Sequence, residues 1–146
     1  MTGTVRYQAA IIRDDHLLLI KVNDHIRDET FWAIPGGGRE PGETEEECVR
    51  REVQEETHLN VAVGELVMDE EAHEEDQIYQ RARTFRCRIE SGKARPGYEP
   101  EAEFDATIEE IGWFNLNDPS EWDPLAIRDA FTFPLLQKLR SALGYS

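Results

Sequence analysis

A chain of 146 residues and 16.8 kDa is long enough for one domain with one core and too short for two, so a single domain over 1–146 is expected. With 39% hydrophobic and 32% charged residues it has enough apolar surface to fold, and no apolar run approaches the roughly 20 residues a membrane helix needs. Its 31 acidic against 16 basic residues give a net charge of −15, which opposes binding to duplex nucleic acid or anionic lipid, since both depend on Lys and Arg meeting phosphate. The first fifteen residues lack the basic start, apolar stretch and small-residue cleavage site of a secretory signal, so the cytoplasm is the expected compartment. Cys48 and Cys87 form neither a close metal pair nor a disulfide framework and read as reduced core thiols.

In chain order, Ala9 to Val22 holds two apolar runs around Arg13-Asp14-Asp15-His16, the pattern of a hairpin with buried strands. A turn-rich stretch follows, then Phe31-Trp32-Ala33-Ile34, a short strand running through Pro35 into a loop of three glycines. Thr44, three residues before Glu47, is a capping-box signature, and the uninterrupted chain after it predicts a helix over about Glu45 to Thr57. The stretch after Asn60 reads as a strand. Gln77 to Glu90 reads as a longer one, with Tyr79, Phe85, Cys87 and Ile89 on one parity. Ser91 to Asp105 is loop-like, and Ile108 to Phe114 predicts a last strand. Asp123-Pro124 can start a helix, with Pro134 kinking or restarting it before Leu135 to Leu143. Strands before and after a central helix, closed by a terminal helix, predict a layered sheet-and-helix domain.

The acidity is uneven. Residues 40–56 carry eight Glu against Arg50 and Arg51, while 69–76 and 99–110 carry six acids each and no Lys or Arg. Acidic blocks are ordinarily solvated faces, and spacing sets the first block apart. At about 100° per residue, Glu52, Glu55 and Glu56 fall within an arc of roughly 100° on the predicted helix. Three carboxylates so crowded repel one another unless cations lie between them, and all-oxygen ligands suit hard ions such as Mg²⁺ or Mn²⁺. Val49, Val53 and Thr57 lie beside that arc, an edge able to pack on the sheet. Arg51, four residues from both Glu47 and Glu55, can bridge these acids. The glycines of Gly36-Gly37-Gly38 let backbone approach an ion or phosphate closely.

Together these residues spell Gly37, five residues, Glu43, seven residues, Arg51-Glu52-Val53, one residue, Glu55-Glu56, one residue, His58-Leu59. This resembles the signature of the Nudix hydrolase family (MutT-like), G-x5-E-x7-R-E-U-x-E-E-x-G-U with U aliphatic. Only His58, standing where the family has glycine, departs from it. The Trp32–Gly42 stretch and Trp113-Phe114 also look like family habits, so the resemblance extends over the chain.

The resemblance implies an α+β fold, a Nudix-type α/β/α sandwich with a mixed β-sheet flanked by the box helix and a C-terminal helix. It implies a Mg²⁺-dependent pyrophosphohydrolase, with Mn²⁺ as a possible substitute. The substrate would be a nucleoside diphosphate linked to another moiety: a dNTP or oxidised dNTP, an NDP-sugar such as ADP-ribose, or a dinucleoside polyphosphate. Glu52, Glu55 and Glu56 would be metal ligands, with the Gly37 carbonyl a further one, and Glu43 and Arg51 structural supports. Arg39, Arg81, Arg83, Arg86 and Arg88 are candidates to meet substrate phosphates, and Trp32, Tyr79 and Trp113 to supply an aromatic platform. The general base would be a box glutamate, most plausibly Glu56, or a glutamate of the loop ahead of Trp113, among Glu99, Glu101, Glu103, Glu109 and Glu110, with Glu103 favoured. The expected partner is a small-molecule nucleotide, with the chain a monomer or homodimer. A noncatalytic nucleotide sensor on the same fold is the alternative, and it would be favoured by loss of a ligand, whereas all three Glu are present. A Ca²⁺-binding acidic domain would leave the glycine loop unexplained, and there is no EF-hand spacing.

Overall fold

The computed structural model describes residues 4–72, 78–97 and 106–145. Among these the order is β1 (Val5–Arg13), β2 (His16–Asp24), β3 (Glu29–Ala33), β4 (Gly36–Gly38), α1 (Glu45–Thr57), β5 (Asn60–Glu71), β6 (Arg81–Ser91), β7 (Ala106–Asn115), α2 (Pro124–Arg128) and α3 (Thr132–Ala142), with a 3₁₀ turn at Pro119–Glu121. The helix expected over Glu45 to Thr57 is found with those bounds. Among the described residues no helix is long and apolar enough to cross a membrane.

The seven strands form one mixed sheet of order β3-β2-β1-β6-β5, with β4 paired to β1 and β7 to β2. The β1–β2 hairpin turns at Asp14 and Asp15, both left-handed at φ 51° and 60°, as a two-residue hairpin turn requires. It is paired only at Ile12↔Leu17 and Arg13↔His16. Beyond those pairs the strands part. β1 runs parallel to β6 from Val5 to Ile11 and takes β4 on its other edge, while β2 is held between β3 and β7. This fork is not readable from an apolar run, because it depends on which distant strand claims each edge.

Side chains alternate across the strands and separate two cores. On one face Tyr7, Ala9, Ile11, Leu18, Ile20 and Val22 meet Cys48, Val49 and Val53 of α1. On the other, Ala10, Leu17, Leu19, Trp32 and Phe114 meet Trp122, ahead of α2, and Ala126, Leu136 and Leu139 of the C-terminal helices. Both cysteines are free and buried, and burial pushes the Cys87 thiol up to about 12, which leaves it inert.

Three expectations are refined. The glycine triplet is a short strand antiparallel to β1 rather than a loop. It lies so close that a Cβ on Gly36 would stand 2.4 Å from the Tyr7 carbonyl oxygen. β6 opens at Arg81, so Tyr79 precedes the strand, and Gln77 lies outside the described residues. The C-terminal helix is broken at 129–131, before Pro134. Asp123 caps α2 through Leu125 N, and the Asp129 carboxylate accepts from Phe131 N and Thr132 N, so α3 starts anew and Pro134 sits in its first turn, where a missing N–H is harmless.

Candidate active site

α1 starts with a complete capping box: Glu47 N donates to Thr44 Oγ1 (3.1 Å) and Thr44 N to the Glu47 carboxylate (2.8 Å). Glu47 is therefore engaged at the cap, and Arg51, expected to reach it, turns to the preceding loop. Its Nε and Nη2 fork onto Glu43 at 2.7 and 3.0 Å, and Nη2 also donates to Gly38 O at 3.0 Å. Nη1 reaches Glu52 at 2.9 Å and Glu55 at 3.2 Å, with the Glu40 carboxylate at 3.7 Å. One guanidinium thus holds four carboxylates and the end of β4. These bonds raise the Arg51 pKa further above its usual value, and in return hold the Glu43 carboxyl below the usual range.

Two of the box acids are buried. Glu52 is 1% exposed and Glu56 0%, values that for carboxylates demand partners. Glu56 Oε1 accepts from Gly36 N at 2.9 Å. Glu52 lies flat on Gly37, where a Cβ would stand 2.5 Å from its Oε1. Only glycine admits the carboxylate there. The Gly37 carbonyl faces the Cys48 thiol, which donates to it at 3.8 Å. Glu55 lies at the rim, its side chain 17% exposed. Val49, Val53 and Thr57, all 0% exposed, pack α1 on the sheet.

The far end of α1 is closed by a contact that sequence reasoning missed. Gly97 N donates to Glu56 O at 2.8 Å and Arg95 N to Thr57 O at 3.1 Å, so the segment after β6 crosses the helix end. A Cβ on Gly97 would stand 1.9 Å from Glu55 O. The signal was the glycine in Pro96-Gly97, which reads as a turn until its neighbour is known. Gly36, as the donor to Glu56, was likewise absent from the expected site. His58 ends the helix left-handed at φ 63°, the conformation for which the family uses glycine.

The other candidates divide by face. Arg81 and Arg83 lie on the α1 side of β6, but both pair with Asp69, at 2.5 and 2.6 Å, and Arg83 also with Glu45 at 3.2 Å. Alternation sends Arg86 and Arg88 to the opposite face, away from the box. Arg39 is exposed directly after β4. Trp32, expected as a platform, is 2% exposed with its ring edge-on to Phe114 at 5.1 Å in the core beneath α3, which leaves no face for a base. Trp113 is half-buried on the α1 side, with the Arg13 guanidinium 4.3 Å from its ring, and Tyr79 is half-buried with Arg6 5.8 Å from its ring. Glu109 and Glu110 lie on β7 itself, bound to Asn23 and Lys21. Glu99, Glu101 and Glu103 lie outside the described residues.

A NUDIX domain model matches residues 4–136. The chain belongs to the Nudix hydrolase family. Among solved structures it is similar to a MutT NUDIX hydrolase from Burkholderia pseudomallei, at 28% identity and TM-score 0.69, over 92% of this chain and 96% of that one. An ADP-ribose pyrophosphatase from Streptococcus suis shares the fold at 23% identity and TM-score 0.70, over 99% and 95%. A UDP-X diphosphatase shares it at 20% identity and TM-score 0.67, over 99% of this chain and 66% of that one. The chain is thus a Nudix hydrolase, built on the expected sandwich of a mixed sheet between helices.

Whether the box suits a divalent ion can be tested on its donors. Among the described residues no three carboxylates, thiols or imidazoles converge as a closed ligand set. A closed all-protein cage is not what Mg²⁺ asks for, since it keeps several waters and binds through one or two carboxylates together with substrate phosphates. Buried oxygen donors on Glu52 and Glu56, a third at the rim on Glu55, and acids that outnumber the single Arg51 cation meet that demand.

Proposed function

We propose that this Nudix hydrolase is a Mg²⁺-dependent pyrophosphohydrolase, cleaving a phosphoanhydride bond in a nucleoside diphosphate linked to another moiety. The observation that carries the reading is the pair of buried carboxylates, Glu56 accepting from Gly36 N and Glu52 lying on Gly37, where Arg51 donates to it from the rim. Isolated buried carboxylates are costly, and a site that keeps them assembled is made for a cation. Glu52, Glu55 and Glu56 would hold it, with the Gly37 carbonyl as a further ligand. When bound, the ion supplies Lewis acidity to phosphoryl oxygens and lowers the pKa of water.

The chain's own residues supply the rest. Arg51 fixes the loop through Glu43 and Gly38 and orients Glu52 and Glu55. Arg39, exposed at the end of β4, is the arginine best free to meet a phosphate, and Trp113 and Tyr79 are the aromatic candidates for the base or head group. With Glu109 and Glu110 bound on β7, the proton acceptor is Glu99, Glu101, Glu103 or the box residue Glu56. A carboxylate not committed to a metal is the better base, which favours the loop glutamates over Glu56, with Glu103 the one farthest along the sequence from both the Pro100 turn and the strand that bears Trp113.

The test is a panel of dNTPs, oxidised dNTPs, ADP-ribose and dinucleoside polyphosphates, assayed for nucleoside monophosphate release by the chelator-treated protein with and without millimolar Mg²⁺. Release that needs the metal is expected for one substrate class. Full activity in excess chelator overturns the reading.

A further inference from the structure

Strand β4 positions both buried carboxylates, yet its own composition cannot fix its register. A strand holds register through side chains that have a face to bury, and Gly36–Gly38 has none. A slip against β1 would carry Gly36 N away from Glu56 and bring a different backbone atom under Glu52. Something outside β4 must therefore hold it.

The residues that do so stand on β1 and β6. Arg6 Nη2 donates to Ile34 O at 2.8 Å, just ahead of β4, and Arg6 Nε to Gln8 Oε1 at 3.0 Å. Gln8 Nε2 in turn donates to Thr84 Oγ1 at 2.9 Å. Gln8 is 6% exposed and Thr84 1%, so these are partners that water cannot readily replace. Ala9 N donates to Pro35 O at 2.9 Å and completes the attachment of the Ile34-Pro35 corner. From that corner the register runs Gln8↔Gly36, Tyr7↔Gly37, Arg6↔Gly38.

We propose that Arg6, braced by Gln8 and Thr84, is a positioning residue of the metal site: it pins Ile34 and so sets where Gly36 meets Glu56 and Gly37 meets Glu52. The proposal rests on the reading of Glu52 and Glu56 as metal ligands. A planar guanidinium suits the task because it bridges a backbone carbonyl and a side-chain amide with two fixed N–H groups. Arg6 acts on the two carboxylates through β4, and its contact with the Tyr79 ring plays no part in a titration without substrate.

The experiment titrates the metal-free full-length protein with Mn²⁺ in the absence of substrate, following free Mn²⁺ by electron paramagnetic resonance, with a thermal melt of each variant. Arg6→Met should weaken Mn²⁺ binding by roughly 10–100-fold, the range typical of groups that orient ligands. Arg6→Lys should recover part of it, since it keeps a donor for Ile34 O and loses the fork onto Gln8. In a Glu56→Gln background Arg6→Met should add less than in the native chain, because the part of its effect that runs through Glu56 is already lost. A lowered melting temperature with unchanged Mn²⁺ affinity in Arg6→Met, while Glu56→Gln binds weakly, overturns the positioning role and leaves the metal reading intact. Native-like Mn²⁺ binding by both Glu56→Gln and Glu52→Gln overturns the metal reading and this proposal with it. Should Arg6→Met fail to fold, Thr84→Val removes only the far brace; a smaller weakening supports the role, and an unchanged affinity overturns it.

Discussion

The two faces of the sheet are built to opposite rules. Beneath α3 the core is apolar and aromatic, with Trp32, Phe114, Trp122 and Phe133 meeting edge to face at centroid distances of 5.1 to 6.4 Å. Beneath α1 the core gives way at the helix edge to Glu52 and Glu56, charged groups as deeply buried as the leucines opposite. Buried aromatic rings stabilise by the apolar surface they remove from water, whereas a buried carboxylate costs free energy unless it is held or neutralised. The first face is therefore built for stability alone, and the second joins a core of its own to the carboxylates proposed to carry the chemistry.

The division is broken most directly at Phe114. Phe114→Ala should cost about 3–5 kcal/mol in urea unfolding, since it removes a 4% exposed ring between Trp32 and Trp122. The folded fraction should keep its turnover. A kcat loss as large as that of a box variant would mean that the faces are not independent. The reverse experiment is Glu52→Gln or Glu56→Gln, expected to lower the rate roughly 10²-fold or more while leaving the melting temperature unchanged or raised, because a charge leaves the interior and the volume stays. Near-native turnover in both would remove the box from the chemistry.

The same contrast explains what was legible in the sequence. α1 could be bounded to the residue because its signals are local: Thr44 and Glu47 cap it, and its apolar and acidic positions recur at helical spacing. The carboxylates and Arg51 followed from that helix. What could not be read depends on contacts between distant segments. Gly36 is Glu56's donor only because β4 lies along β1, and Arg81 and Arg83 are occupied only because β5 pairs with β6, which sets Asp69 opposite Arg83 and diagonally within reach of Arg81. Trp32 looked available in a glycine-flanked strand, but its parity sends it to the aromatic face. The partners of an arginine or tryptophan belong to the sheet order, which no short pattern encodes.

A smaller effect sharpens the electrostatic half of the comparison. Arg51 holds the Glu43 carboxyl below its ordinary pKa, chiefly through their hydrogen bonds. A depressed folded-state pKa contributes stability that is fully present above the unfolded-state value, about 4.3, and is lost as pH falls through the folded one. Glu43→Gln should therefore be less stable than the native chain at pH 7, and the gap should close in acid. Equilibrium unfolding between pH 7 and 3 measures it. A gap that persists unchanged at pH 3 would mean that Glu43 acts through shape and not charge.

The smallest effect is expected where the chain departs from its family, at His58. The residue caps α1 at φ 63°, ψ 16°, its N–H donating to Gln54 O at 3.0 Å, so the backbone needs the left-handed conformation whatever side chain it carries. A Cβ in that region costs about 1–2 kcal/mol, while glycine gives back about 0.4–1 kcal/mol through the entropy of the unfolded chain. His58→Gly should thus stabilise by about 0.5–1 kcal/mol, and His58→Val, β-branched and hard to fit at positive φ, should destabilise. Neither change touches Glu52 or Glu56, and the Glu56 and Thr57 carbonyls keep their donors from Gly97 and Arg95, so turnover should stay within about twofold. A large rate loss in His58→Gly, with stability raised as expected, would show that the imidazole works in the site and is not merely tolerated at the helix end.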